Sequence, residues 1–554
     1  MDKPWINSYP PGVPAEIDVN SYQSVVEIFT EATERFADKP AFHNLGKTIS
    51  YRELDALTQQ FAAWCQHEAG LKKGDRIAIM MPNLLQYPVA VFGALRAGLV
   101  VVNTNPLYTD RELEHQLKDS GARAIVVVEA FASTFAEIAD KTDVEVVITT
   151  RFGDMLDFPK SMLVNFVLKY VKKMVPPFSL PGSHSFKDVL AKGASLPAAT
   201  TDVGHDDIAF LQYTGGTTGV AKGAMLTNRN MVANIVQAWT WINAVELKEG
   251  EEIIVTALPL YHIFALTANC LTFMKLGALN LLITNPRDMP GFVKELKKFR
   301  FTAFTGVNTL FNALMNTDGF KEIDFTGLKM TLGGGMAVQK IVAEEWKATT
   351  GNPLIEAYGL TETSPAACIN PMNLTEYNDS IGLPIPSTDG SVRDENNNPL
   401  PIGEPGELCI RGPQVMKGYW QRPDATAETI DSEGWLHTGD VAVMNAEGYF
   451  KIVDRLKDMI LVSGFNVYPN EVEGVIAMMP GVLEVGAIGV PDEHSGEVVK
   501  VVIVKKDPAL TAEDVKAHCK EELTGYKRPK VIQFVDELPK TNVGKILRRE
   551  LREL

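Results

Sequence analysis

Short, almost wholly apolar runs alternate with segments of helical periodicity in the first part of the chain. Three such runs are RIAIMM (76–81), LVVVN (99–103) and ARAIVVV (122–128). Strands without polar alternation are buried on both faces, and strands separated by helices pair in parallel. The pattern returns after residue 208 and continues to LKMTLGGG (328–335). We therefore predict an α/β protein up to about residue 400.

The sequence pattern changes downstream. In 394–413, turn residues separate short segments in which apolar and polar residues alternate, which indicates a β-rich section. After residue 458 we predict strands near 485–490, 498–505 and 531–535 and a helix over 511–523. The predicted architecture is a large N-terminal domain of parallel αβ layers plus a β-rich section (1–454), a hinge (455–457) and a small mobile α+β C-terminal domain (458–554).

The net charge and the cysteine positions argue against some classes of function. The 554 residues carry 53 Lys plus Arg against 69 Asp plus Glu, a formal charge of −16 that argues against nucleic acid as the main partner. The five cysteines are far apart and show no metal-ligand spacing, which is typical of a reduced cytoplasm. The start of the chain lacks a secretory pattern, and no apolar run reaches the ~18 residues of a membrane span. We expect a cytoplasmic protein.

One stretch, KSMLVNFVLKYVKKMVPPFSL (160–180), has the pattern of a basic amphipathic helix. Such a helix can lie on the surface of an anionic membrane, so peripheral contact with the inner face of the membrane is one hypothesis. The more common alternative is a helix that packs on its own domain with its lysines in water.

Residues 213–223, YTGGTTGVAKG, combine four glycines with four hydroxyl-bearing side chains and one lysine. Glycines let successive N–H groups point inward, the threonines add donors and Lys222 adds a positive charge, which together predict a phosphate-binding loop. The loop is not GxxxxGK[ST], because Ala221 precedes Lys222 and Gly223 follows it. GxGxxG also fails, since no such spacing opens the first βα unit.

Seven further motifs agree in order with one family. They are ALPLYHIF (257–264), LGGGMAV (332–338), EAYGLTETSP (356–365), GELCIRGPQVMKGYW (406–420), GWLHTGD (434–440), VDRLKDMILVSGFNVYPNEVE (453–473) and LPKTNVGKILRREL (538–551). With the glycine-rich loop, they resemble the AMP-forming acyl-CoA synthetases among the adenylate-forming enzymes, most of all the bacterial long-chain fatty acyl-CoA synthetases. Leu456 and Asn228 depart from the residues frequent at their positions.

The resemblance implies a two-step reaction. The fatty carboxylate attacks the α-phosphorus of ATP and expels diphosphate, and the thiolate of CoA then attacks the acyl-adenylate and expels AMP. The implied partners are ATP, fatty acid and CoA, with Mg²⁺ as cofactor, and a homodimer is common among similar enzymes. Negative charge crowds around phosphorus in the first step, so fixed cations and N–H donors should dominate catalysis.

The resemblance also implies roles for individual residues. Lys545 would bridge the carboxylate and the α-phosphate, His262 would sit between the same groups, Thr361 would donate to the α-phosphate and Glu362 would ligate Mg²⁺. The remaining ATP contacts would come from Thr214, Gly215, Gly216, Thr217, Thr218, Gly219, Lys222, Gly334, Gly335, Tyr358, Gly359, Asp440 and Arg455. Among these, Tyr358 would stack on adenine, and Asp440 and Arg455 would bind the ribose. Lys457 would be the hinge, and Gly464 would face CoA.

Other functions stay open at this point. A medium-chain or aryl CoA ligase, or an enzyme that loads a carrier protein, would use the same motifs. A non-catalytic, membrane-linked fatty-acid binding or uptake factor would suit the amphipathic stretch, but it would not need Lys545, Glu362 and Asp440 together. Tunnel walls formed by Trp239, Phe264 and Leu266 are plausible, although core packing is the more common role for such residues.

Overall fold

The computed structural model describes residues 2–214, 221–463, 465–492, 494–541 and 544–554. Two largely parallel sheets with helices around them build the large N-terminal part, and two smaller sheets follow. The apolar runs are buried strands, as in Val100–Thr104, where all five residues are buried. The predicted α/β class is therefore confirmed.

The first large sheet has seven strands, and only its last strand is antiparallel to its neighbour. In sheet order the strands are His184–Ser185, Val146–Thr150, Ala122–Val128, Arg76–Met80, Val100–Thr104, Ile208–Thr214 and Lys222–Thr227. The last two strands pair in antiparallel register, with Thr214 opposite Lys222.

The second large sheet has nine strands, with a parallel centre and antiparallel strands at both edges. In sheet order they are Leu383–Pro384, Ala366–Ile369, Leu354–Gly359, Met330–Gly333, Ala303–Gly306, Ile253–Thr256, Leu279–Leu282, Pro40–Asn44 and Lys47–Ser50. Since the carboxyl ends of parallel strands share one edge of a sheet, the motifs after residues 306, 333 and 359 lie near one another.

Two smaller sheets follow. The predicted β-rich section is an antiparallel sheet of Asp389–Arg393, Gly406–Arg411, Leu436–Met444 and Phe450–Arg455. The C-terminal sheet contains Phe465–Val467, Ile460–Val462, Gly496–Lys505, Val482–Asp492 and Val531–Val535. A turn at 456–458 connects the two sheets.

Helices cover the sheets, and local sequence signals set their ends. Asp110–Ser120 starts at a capping box made by Thr109 and Glu112 and stops at Gly121, which adopts φ +60°. The α-helices are Val25–Arg35, Tyr51–His67, Gln86–Arg96, Asp110–Ser120, Ala132–Ala136, Lys160–Phe166, Phe186–Gly193, Asn228–Ile242, Phe273–Lys275, Met289–Leu296, Asn308–Met315, Lys340–Thr350, Pro423–Thr429, Pro469–Ala477, Ala512–Glu522 and Arg548–Leu551.

Hydrogen bonds between residues far apart in the chain link the helices to one another. Asn228, one of the two departures from the family pattern, is buried and accepts the N–H of Val25 at 3.1 Å, so it anchors the first long helix. Across the described ranges, no helix has the length and apolarity that a membrane span requires.

An aromatic cluster packs beside the second large sheet. The indole of Trp346 lies 4.7 Å from the ring of Phe311 and 5.7 Å from the rings of both Phe304 and Phe320. Its Nε1–H donates to Thr331 Oγ1 at 3.1 Å, so the polar atom is satisfied although the side chain is fully buried.

We expect Trp346→Ala to lower the free energy of unfolding by about 3–5 kcal/mol, because it leaves a large cavity in a packed core. Urea denaturation followed by circular dichroism would measure the change. Phe158→Ala is the matched control, since Phe158 is 80% exposed and its loss should shift stability by less than about 0.5 kcal/mol. Equal effects of the two substitutions would contradict the packing described here.

Candidate active site

The amine of Lys545 lies beside Gly335 of the large N-terminal part of the chain, and Arg455, Asp440 and Glu362 are close enough to act on its charge. We define the space between these residues as the cleft. Gly335 has a φ of +79°, and a Cβ atom there would lie 3.3 Å from Lys545 Cε, so glycine leaves room for the lysine stem. The lysine turn (described residues Thr541, Gly544 and Lys545) is held locally. Thr541 N–H donates to the Lys545 carbonyl at 2.7 Å, and Thr541 Oγ1 accepts the Lys545 N–H at 3.0 Å.

The surroundings of Lys545 make its ammonium easier to deprotonate. Burial and the nearby Arg455 cation lower the pKa of Lys545 to about 8, against the opposing charges of Asp440 and Glu362. The group therefore stays mostly cationic at neutral pH. A poorly hydrated cation in this position is suited to neutralise an incoming anion.

Asp440 lies on the strand Leu436–Met444, directly opposite Arg455 on the neighbouring strand. Its carboxylate is buried. Oδ2 accepts a hydrogen bond from the Tyr358 hydroxyl at 2.5 Å, and Oδ1 forms an ion pair with Arg455 Nε at 3.1 Å. Each carboxylate oxygen keeps a further lone pair, so the oriented group can still accept hydroxyl protons from a ligand. The bond from Tyr358 was not part of the sequence prediction, which assigned this residue to adenine stacking.

Glu407 is a positioning residue that the sequence reasoning missed. Its Oε1 accepts the Gly439 N–H at 2.9 Å, and its Oε2 lies 2.8 Å from His437 Nδ1. One side chain thus fixes both sides of the HTGD segment that carries Asp440. Glu407 belongs to the motif GELCIRGP, which could have drawn attention to it. Only the pairing of strands 406–411 and 436–444 shows that this side chain contacts the HTGD segment.

Glu362 and Lys222 meet at one aromatic ring. The Tyr419 hydroxyl donates to Glu362 Oε1 at 2.6 Å, and Lys222 Nζ lies 4.4 Å from the centre of the Tyr419 ring. The Met416 N–H donates to the Glu362 carbonyl at 2.8 Å. The segment 416–419 therefore links the predicted metal ligand to the predicted phosphate-binding lysine.

The base of the glycine-rich loop is well defined. Thr214 and Lys222 are register partners in the hairpin, and the Tyr213 hydroxyl donates to Asp119 Oδ2 at 2.7 Å. Five predicted ATP contacts and the predicted CoA contact lie outside the described residues, namely Gly215, Gly216, Thr217, Thr218, Gly219 and Gly464.

Thr361 and Glu362 begin a single helical turn, Thr361–Thr363, directly after the strand Leu354–Gly359. A Cβ atom at Gly359 would lie 1.9 Å from the carbonyl oxygen of Pro365. Glycine is therefore required there by the close return of the chain after the turn that contains Thr361.

His262 lies beside the lysine on the opposite wall. Burial and the Lys545 cation lower the pKa of His262 to about 3, so the ring is neutral at physiological pH. Its Nδ1 accepts the Phe264 N–H at 3.3 Å, an arrangement that assigns the ring proton to Nε2. The Phe264 ring packs on Gly334, where a Cβ atom would lie 3.2 Å from Phe264 Cε1.

The predicted hinge residue Lys457 is exposed in the turn between the two smaller sheets. Its neighbour Leu456 donates its N–H to the carbonyl of Gly439 at 3.1 Å. The turn thus touches the HTGD segment, and the predicted hinge and the predicted ribose site are in contact.

Comparisons with known proteins identify the family of the chain. The family model for AMP-binding enzymes matches residues 29–420, and that for the AMP-binding enzyme C-terminal domain matches 471–545. A protein of Escherichia coli O6:H1 named long-chain-fatty-acid–CoA ligase is 59% identical over 100% of this chain and 98% of its own length. A Bacillus subtilis protein of the same name is 37% identical over the same shares of both chains.

Solved structures show the same architecture. The ATP-bound crystal structure of MatB from Rhodopseudomonas palustris is 29% identical, covers 95% of this chain and 98% of its own, and superposes with a TM-score of 0.81. Apo MatB, over the same shares, gives 0.73. The chain belongs to the AMP-binding enzyme family, and within it to the bacterial long-chain-fatty-acid–CoA ligases.

Proposed function

We propose that this chain joins long-chain fatty acids to CoA in an ATP-dependent reaction that proceeds through an acyl-adenylate and releases AMP and diphosphate. The observation that carries the proposal is the position of Lys545, whose cation enters a cleft formed by Gly335, Asp440 and Glu362. The full-length Escherichia coli relative has this activity in its name. A binding factor without catalysis has no need for a buried cation at this point.

The first step forms the bond between a carboxylate oxygen and the α-phosphorus and breaks the bond to diphosphate. Negative charge accumulates on the phosphoryl oxygens during this step, and the Lys545 ammonium would offset it. Neutral His262 would donate from Nε2 without adding a second cation next to Lys545. Thr361, in the turn that also carries Glu362, would add a hydroxyl donor to the α-phosphate.

The nucleoside would be held by the carboxylate of Asp440. Tyr358 and Arg455 fix both of its oxygens, so ribose hydroxyls would meet an acceptor that is already oriented. The base would then lie along Tyr358 and the strand end that precedes Thr361. Lys222, beside Tyr419, would contact the phosphates at the other end of the nucleotide.

Mg²⁺ with ATP suits the side chains present. Glu362 offers a hard carboxylate oxygen, and its single hydrogen bond from Tyr419 occupies Oε1, so Oε2 faces no hydrogen-bond donor in the described part of the chain. When bound, the ion would supply positive charge to the phosphates. Lys222 and Lys545 would supply charge at either side of it.

The second step needs a different arrangement, since the thiol of CoA must reach the carbonyl that Lys545 has just served. We propose that residues 455–457 are the hinge between domains 1–454 and 458–554 and that rotation brings Gly464 towards CoA. The higher TM-score against ATP-bound than against apo MatB supports an adenylating arrangement for the structure described here.

A surface segment supports contact with lipid. We define the lysine-flanked patch as residues 158–174, which include the helix Lys160–Phe166 and the turn Val167–Val171. None of the residues in these two elements is buried, and Phe166 and Tyr170 are 54% and 62% exposed. Asn165 faces the protein instead, because its Oδ1 accepts the Gly153 N–H at 2.8 Å, while Lys169, Lys172 and Lys173 are exposed.

The positive charge of the lysine-flanked patch favours an anionic partner. The patch contains four lysines and no Asp or Glu, in a chain whose formal charge is −16. Exposed apolar side chains beside a local basic cluster fit an anionic bilayer, into which the rings would insert while the lysines bind headgroups. We propose peripheral docking on such a surface, from which fatty acid would reach the cleft.

Lys545→Ala should abolish the fatty-acid-dependent exchange of diphosphate into ATP, because the ammonium that offsets the charge developing on the α-phosphate is lost. Thioester formation from supplied acyl-adenylate should be largely spared. Assaying AMP release with medium-chain, long-chain and aromatic acids in the wild type would separate the long-chain ligase from the other ligases. Normal exchange by Lys545→Ala would contradict the assignment.

The adenylation rate should depend on pH through the same group. Because burial and Arg455 lower the pKa of Lys545 to about 8, we expect kcat/KM to fall as pH rises through about 8, where the cation is lost. The corresponding fall in kcat should occur at higher pH, because bound phosphates stabilise the ammonium form of Lys545. A kcat/KM profile that stays flat to pH 10 would contradict a role for this charge.

Changing Lys169, Lys172 and Lys173 together to Glu should reduce co-sedimentation with anionic vesicles by more than tenfold, because each basic residue contributes about 1 kcal/mol near such a surface. Vesicles of phosphatidylcholine with and without phosphatidylglycerol would be compared at low and high salt.

The matched control carries the same charge change on another exposed surface, at Lys294, Lys297 and Lys298. It should bind vesicles as the wild type does. Equal binding by the patch variant and the wild type would exclude docking through this segment.

A further inference from the structure

The helix Asn308–Met315 of the large N-terminal part directly contacts the lysine turn. The Thr309 hydroxyl donates to the carbonyl oxygen of Gly544 at 3.0 Å. That carbonyl belongs to the peptide bond that leads into Lys545. Any displacement of the carbonyl moves the Cα atom of Lys545 with it.

The same helix makes a second contact one turn later. Asn312 Nδ2 donates to the carbonyl of Leu483 at 2.9 Å, at the start of the C-terminal strand Val482–Asp492. Residues three apart share one helix face, so both bonds come from the same side of the helix. Two side chains thus hold two separate backbone points of the C-terminal sheet and its lysine turn.

The two side chains differ in what they do for their own helix. Val307 is the N-cap and no side chain caps this helix end, so the Thr309 hydroxyl is not used as a cap. Asn316, the C-cap residue, donates from Nδ2 to both Asn312 O and Asn312 Oδ1, at 2.8 and 3.0 Å, so Asn312 uses its Oδ1 within the helix. The Thr309 hydroxyl and the Asn312 Nδ2 group are the donors directed at the C-terminal region.

The packing around the first contact is close. A Cβ atom at Gly544 would lie 3.0 Å from Thr309 Oγ1 and 3.2 Å from Val307 Cγ2, and one at Gly335 would lie 3.6 Å from Val307 Cγ1. Val307 and Thr309 thus form a wall for the lysine turn, on the same side of the cleft as Gly335. The lysine turn thus contacts Val307 and Thr309 in the same arrangement in which the Lys545 side chain lies beside Gly335.

We propose that Thr309 is a positioning residue for Lys545 and that Asn312 supports it, through contacts that form only when the C-terminal domain is docked for adenylation. The inference rests on the proposed ligase function. In the thioester-forming arrangement Lys545 leaves the cleft, and both bonds break with it. Their loss should therefore penalise one half-reaction and not the other.

The test compares Thr309→Val, which keeps the shape but removes the hydroxyl, with Thr309→Ser, which keeps the hydroxyl. Removing one hydrogen bond should lower kcat for fatty-acid-dependent diphosphate exchange about fivefold in Thr309→Val. The KM for ATP should change little, because Thr309 does not reach the nucleotide. Thr309→Ser should restore most of the rate.

Thioester formation from supplied acyl-adenylate should be unchanged in both variants. Asn312→Leu should show the same pattern as Thr309→Val. Thr317→Val is the matched control, because Thr317 lies just after the end of this helix and its Oγ1 donates to Ala313 O at 2.8 Å, a contact with the helix and not with the C-terminal region. It should leave both half-reactions at wild-type rates.

Several outcomes would overturn the inference. One is wild-type exchange by Thr309→Val, and another is equal loss of both half-reactions together with a lower unfolding temperature, which would indicate a merely structural residue. Absence of exchange in the wild type would instead refute the proposed function itself. The two failures are therefore distinguishable.

Discussion

A single ammonium group, carried by the end of the chain, must be held in a cleft built by another part of the molecule. Burial of Lys545 disfavours its charge, as the lowered pKa shows, so the cation needs acidic neighbours and a fixed backbone. Asp440 and Glu362 supply the charges, and the lysine turn supplies the backbone. The rest of the site is organised around keeping these groups in register.

The acidic groups are themselves held in place by neighbouring side chains. The Tyr358 hydroxyl donates to Asp440, the Tyr419 hydroxyl donates to Glu362, and Glu407 accepts a backbone N–H of the segment that carries Asp440. Because these bonds already orient the two carboxylates, little reorganisation is needed when a nucleotide binds. A nucleotide site fixed in this way would stay intact if the small C-terminal sheet changed its position.

The exposed patch at 158–174 and the cleft are consistent with one substrate. In the proposed function, a fatty acid would come from a lipid surface, and its carboxylate would have to reach Lys545 while its chain stays out of water. Phe264, packed on Gly334, provides an apolar wall next to His262. Docking near a bilayer would shorten the path of the substrate through water.

Most of the fold and the candidate site could be predicted from the sequence. Strand burial follows from runs such as 122–128, and helix limits follow from local caps such as Thr109 and Gly121. The motifs gave the positions of Lys545, Asp440 and Glu362 along the chain. Each of these signals lies within a few neighbouring residues, which is why a single sequence contains it.

Only the tertiary structure decided which groups face one another. The bonds of Tyr358 to Asp440, of Tyr419 to Glu362 and of Thr309 to Gly544 join residues far apart in the chain, and strand register and domain docking set their distances. The outward-facing side of 160–174 is a similar case, because periodicity alone does not tell which face of a helix meets the protein. The amino-acid sequence determines which chemical groups exist and the local elements that carry them, and packing determines where their charges and donors converge.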